Sequence, residues 1–111
     1  MNLQSSKIAT LLEREISEIL RKGARDNKLH EVTITAVKLS NDKSVAKIYY
    51  SVLTDEHKEV IGESLTNAVG YIKTELSKVT EMRKVPELRF IYDESIEYGN
   101  KIEQLLAKLK K

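Results

Sequence analysis

Residues 66–90 (TNAVGYIKTELSKVTEMRKVPELRF) constrain the fold more than any other stretch. They contain Gly70, set inside a helical pattern, and Pro86, the only proline in the chain. Proline cannot continue a helix, and it pushes Val85 toward extended geometry. Glycine permits a kink or a left-handed turn. The stretch reads as two helices meeting at Ala68-Val69-Gly70, the second carrying apolar Ile72, Leu76 and Val79. A strand follows through Leu88, Phe90 and Tyr92, with Arg89 and Ile91 on its opposite face.

The elements on either side must pack against this unit. Ile8, Leu12, Ile16, Ile19 and Leu20, with Ala9 and Leu11, recur at helical spacing, which predicts a first helix over residues 4–22. Ser5 or Ser6 is placed to cap it, and Gly23 to end it. Lys7, Arg14 and Arg21 share its solvent face beside Glu13 and Glu18, the pattern of a solvated charged face, the alternative being a phosphate-facing stripe. Residues 23–30 are polar turn material. Residues 31–39 are rich in β-branched side chains with mixed faces, and Ser40-Asn41-Asp42 punctuates them. Residues 45–53 then alternate, Ala46, Ile48, Tyr50 and Val52 on one face and Lys47, Tyr49 and Ser51 on the other. Two strands joined by so short a turn form an antiparallel hairpin.

Thr54 and Asp55 suit the cap of the next helix, whose buried side is Val60, Ile61, Leu65, Ala68 and Val69. Gly62 weakens that helix by about 1 kcal/mol relative to alanine. Asp93 or Ser95 is placed to cap a last helix, buried through Ile96, Ile102, Leu105, Leu106 and Leu109. The order α-β-β-α-α-β-α predicts an α+β domain over residues 1–111, with helices on one face of a three-stranded mixed sheet. The third strand arrives by a long crossover and should lie parallel to its neighbour.

Little in this pattern can do covalent chemistry. The chain has no cysteine, which excludes disulfides and thiolate chemistry. His30 and His57 have no second ligand at metal spacing. The four glycines are isolated, so no phosphate-binding loop forms. Serines lack a base partner, and the acids around Asp93, Glu94 and Glu97 suit capping. The expectation is no catalytic residue, no metal and no cofactor. With no signal-like or membrane-spanning run, a cytoplasmic location is expected.

Binding remains. A formal net charge of +2 decides nothing by itself, so the placement of the cations must. Lys73, Lys78, Arg83 and Lys84 lie on or just after the helix beyond Gly70. Lys73, Ser77, Thr80 and Lys84 form a polar stripe opposite Ile72, Leu76 and Val79. Lys47 and Arg89 extend this basic surface if their sheet faces coincide. A break at Gly70 would also free amide groups at a helix N-terminus, a favoured place for phosphate. Tyr49 is the best candidate for an exposed aromatic, while Tyr71 and Tyr98 are expected to pack in the helical layer. With aromatic content of 5%, backbone and shape recognition is expected over base stacking.

Residues 85–106 carry V-P-E-L before a strand, then D-x-S at 93–95 and E-x-G-x-x-I at 97–102. This combination resembles the signature of the bacterial ribosome-binding factor A family, and residues 15–20 (EISEIL) and 32–53 are similar to it too. The resemblance implies a type II KH-like core, α-β-β-α-α-β, with a C-terminal helix. In that family an A-x-G kink, here Ala68-Val69-Gly70, replaces the usual G-x-x-G loop. It further implies a non-catalytic assembly factor that binds the immature small (30S) subunit and its 16S ribosomal RNA. Such a factor aids maturation of the RNA's 5′ end region and growth in the cold, and it leaves with help from an assembly GTPase. A monomer is expected. The alternative reading is a module that docks ribosomal proteins or the GTPase. Asp26-Asn27-Lys28-Leu29 and Ser77 depart from the family pattern.

Overall fold

The periodicity of the first twenty residues is realised directly. In the computed structural model, which describes residues 3–23, 27–80, 82, 84–95 and 106, α1 runs Leu3–Glu18 and widens into a π turn over Ile19–Gly23. Leu12, Ile16 and Leu20 are fully buried or nearly so. The helix starts early enough that Ser5 and Ser6 lie within it rather than capping it. A 3₁₀ turn, Asn27–Glu31, follows. The loop expected there is not wholly polar, because Leu29 is buried in the core.

Strands β1 (Val32–Leu39) and β2 (Val45–Val52) pair antiparallel, and β3 (Glu87–Tyr92) lies parallel to β2. The order β1-β2-β3 makes β2 central. The mixed faces of β1 have a specific cause. Ile34 pairs with Tyr50 and Ala36 with Tyr49, so Thr35 is the extra residue of a β-bulge. One inserted residue moves everything after it to the other face. Val32 and Ile34 therefore face the core before the bulge, and Val37 and Leu39 face it after.

The bulge is held from a distance. Thr35 Oγ1 donates a hydrogen bond to Asp93 Oδ2 at 2.6 Å. The Asp93 N–H donates to the Tyr50 carbonyl at 2.7 Å. Asp93 Oδ1 accepts the Ser95 N–H at 3.0 Å and the Ser95 hydroxyl, so Asp93 is the residue that caps the helical pair Glu94-Ser95. These bonds, the Ser95 and Thr35 hydroxyls first, hold the Asp93 carboxyl below the usual aspartate range. A carboxylate with a depressed folded-state pKa stabilises above its unfolded value and loses that contribution as pH falls through the folded one. Asp93→Ala should thus cost about 1–2 kcal/mol at neutral pH, the loss of a cap. In urea titrations its gap from the parent should narrow in strong acid.

The largest difference from expectation is α2. The two helices expected to meet at Ala68-Val69-Gly70 are one 23-residue helix, Lys58–Thr80, entered through a 3₁₀ turn at Asp55–His57. Thr54 occupies the cap position of that turn without a side-chain cap bond. No described glycine has a positive φ. The reason lies in phase: Ile61, Leu65, Ala68, Ile72 and Leu76 follow steps of four and three, so a single helix buries them all. Ile61, Leu65, Ile72 and Leu76 are indeed 0% exposed. A glycine inside such a helix costs about 1 kcal/mol and need not break it.

Other differences follow from helix rotation. Val60 and Tyr71, expected inside, are exposed because each sits one step off that buried line. Val79 is on the core side by angle, yet it is 55% exposed in the last turn. Leu106, expected to be buried, is helical and exposed. It is not among the residues packed on the core. Ile96, Ile102, Leu105, Leu109 and Tyr98 lie outside the described residues.

Gly62 has a role the sequence did not suggest. A β-carbon there would come within 3.3 Å of the Tyr50 hydroxyl. The buried Tyr50 ring meets Phe90 and Tyr92 edge-on, with centroids 6.4 and 5.7 Å away. The glycine lets α2 settle over this aromatic group on the central strand.

Candidate nucleic-acid interface

The cations of α2 separate into two kinds. Lys73, half-buried on the helix flank, has no described acid within ion-pair distance, nor has the exposed Lys84 after the helix. Lys78 pairs with Glu75 at 3.4 Å. At 3.6 residues per turn Lys78 is turned roughly 140° from Lys73, so the two do not share a stripe. Ser77 is exposed near Lys73. Gly70 lies one turn before it, also exposed, and a β-carbon added there would meet nothing within 4 Å. Lys84 falls past the end of α2 at Thr80, off the helical stripe on which the spacing put it. Arg83 lies outside the described residues.

The free amides expected at Gly70 do not form. In an unbroken helix each N–H is committed to the carbonyl four residues back. The Gly70 carbonyl also accepts the Thr74 hydroxyl at 3.0 Å. What Gly70 supplies instead is an absence of side chain beside a lysine with no described acid partner.

Lys47 and Arg89 do coincide: they are direct partners in the β2–β3 register. Their neighbours Ala46, Ile48 and Leu88 point into the core beneath the helices. Lys47 and Arg89 therefore project from the other face of the sheet and do not extend the α2 flank directly. The two sets approach each other at one end of the domain. There α2 finishes, Lys84 leads into β3, and the Glu87 N–H donates to the Ser44 carbonyl of the β1–β2 loop at 2.9 Å. Lys43, the one described non-glycine residue with positive φ, lies in that loop.

Sequence reasoning missed Lys38, whose outward direction depends on the bulge at Thr35. It is the β1 partner of Lys47, and its ammonium sits 5.5 Å from the Tyr49 ring centroid. Tyr49 is thus half-buried beneath a cation rather than an open stacking surface. Arg14 on α1 pairs with Glu15 at 3.5 Å, and Arg21 and Lys22 in the turn that follows both pair with Glu18. His57 Nδ1 meets Glu31 Oε2 at 2.8 Å, a contact that lowers the Glu31 pKa. Among the described residues no group of three His, Asp or Glu side chains is arranged to hold a metal, and no helix is long and apolar enough to cross a membrane.

A mixed three-stranded sheet with helices on one face and cations gathered toward one end defines a KH-like α+β domain. Residues 4–106 match the family model described as ribosome-binding factor A. Ribosome-binding factor A of Streptococcus mutans serotype c is 45% identical over 112 residues, covering 99% of this chain and 97% of that protein. That of Streptococcus pneumoniae serotype 19F is 43% identical over 114 residues, with 99% and 97% coverage. The chain belongs to the ribosome-binding factor A family. The fold agrees with the crystal structure of ribosome-binding factor A from Thermus thermophilus, at a TM-score of 0.72 and 27% identity over 79% of this chain and 93% of that one. A Thermus thermophilus homology model fitted into a cryo-EM map of a 30S complex matches at 0.67 and 28% identity, over 78% and 91%.

Proposed function

We propose that this protein is a non-catalytic assembly factor that binds the immature small ribosomal subunit through its 16S ribosomal RNA. Lys73 and Lys84, with Arg83, neutralise phosphates, and the exposed Gly70 gives the RNA backbone a flank it can approach closely. The observation that carries this reading is an exposed, uncrowded Gly70 one helical turn from a lysine with no described acid partner, in a member of this family. The Thermus thermophilus relative fitted into a 30S complex supports the choice of partner. Bound there, the protein aids maturation of the 5′ end region of the RNA and supports growth in the cold. It works in the cytoplasm and leaves the subunit with help from an assembly GTPase.

Charge reversal tests the assignment. Lys73→Glu, Lys78→Glu and Lys84→Glu together should sharply reduce cosedimentation with small subunits while circular dichroism keeps its helical signal. Each lost duplex phosphate contact should flatten the slope of log affinity against log salt by about 0.9. Undiminished binding by the triple variant would sink the assignment. Salt-insensitive binding would favour a module that docks ribosomal proteins instead.

A further inference from the structure

Three cations lie side by side across the outer face of the sheet. Lys38 on β1 partners Lys47 on β2, and Lys47 partners Arg89 on β3, so the row crosses every strand. Neighbouring strands are about 4.8 Å apart. All three residues are exposed. Like charges directly opposite one another destabilise a sheet, so folding by itself disfavours this row. Its compensation is partial. Arg89 contacts Glu87 at 2.9 Å, Lys38 rests over Tyr49 and lies near enough to Asp93 to lower its pKa, and no described acid pairs with Lys47. The adjoining register row, Ala36-Tyr49-Ile91, is half-buried and uncharged.

We infer that the Lys38-Lys47-Arg89 row is a second RNA-backbone contact, on the opposite face of the sheet from α2, so that the domain bridges two RNA segments. This rests on the proposed RNA-binding reading and extends it to a second surface. Polyanionic backbone fits the row better than an acidic peptide does. The cations stand in a straight line across the strands, the adjoining row offers no pocket for side chains, and Tyr49 is covered by Lys38 and so not free to stack on a base. Contacts of this kind are sequence-tolerant and steeply salt-dependent.

The test uses the full chain and two differently labelled short RNA duplexes. The parent should form a ternary complex that brings the labels together. Combined Lys38→Gln, Lys47→Gln and Arg89→Gln should retain binding of one duplex, lose the ternary complex and reduce the salt slope by up to about 2.7, three contacts at about 0.9 each. Its thermal midpoint should equal or exceed the parent's, because the repulsion is gone. The Lys73/Lys78/Lys84 charge-reversal variant should also bind one duplex, through the row. A ternary complex that survives the row substitutions overturns the inference and leaves the α2 reading standing. If the parent binds no RNA, both readings fall. If the row variant loses only subunit binding and keeps both duplexes, the row belongs to an acidic protein partner, and the inference is overturned.

Discussion

Tyr50→Ala should remove about 3–5 kcal/mol of stability, the range for deleting a large buried aromatic side chain. Domains of this size carry roughly 5–15 kcal/mol in total, so the variant should be largely unfolded on modest warming. The size of the effect comes from position. Tyr50 is 5% exposed on the central strand, meets Phe90 and Tyr92 edge-on, and fills the space beneath Gly62. Its backbone carbonyl also receives the Asp93 N–H, beside the bulge that sets the second half of β1. Tyr50→Phe keeps both ring contacts and should cost far less. Urea unfolding of the two variants separates them, and equal losses would show that the ring contacts are not what the residue contributes.

The second large effect is a contrast between two glycines of one helix. Gly70→Ala should raise stability by about 1 kcal/mol, since alanine is the better helix former and its β-carbon meets nothing within 4 Å. If the flank exists for close approach of RNA, the same change should weaken small-subunit binding. Stability and binding then move in opposite directions, which a simple folding role cannot produce. Gly62 has the reverse logic. Gly62→Leu should destabilise by about 1–3 kcal/mol through overpacking against the Tyr50 ring. Thermal melts and cosedimentation on the same preparations check both. A Gly70→Ala variant that binds as well as the parent would remove the close-approach argument.

The sequence made Gly62 a weak point within a helix and Gly70 a break between two, because spacing along one chain carries no information about what crosses above it. Gly70 was expected to separate two helices. The unbroken steps of Ile61, Leu65, Ala68, Ile72 and Leu76 were the signal to the contrary, and burial of that whole line outweighs one glycine's preference. Lys78 shows the same limit on the binding side. It lies close to Lys73 in sequence, yet rotation turns it away and Glu75 takes it up.

By itself the sequence determined the α+β class, the antiparallel hairpin, the parallel third strand and membership of a family, because hydrophobic period, turn residues and short motifs are local. It also placed Lys47 and Arg89 on outward positions of their strands. Only the tertiary structure decided that those two are register partners, that Lys38 joins them, and that all three face away from α2. For Lys38 the cause is a single extra residue, Thr35, held by Asp93 from beyond the third strand. Register and bulges are set by contacts between distant segments, and side-chain direction follows from them.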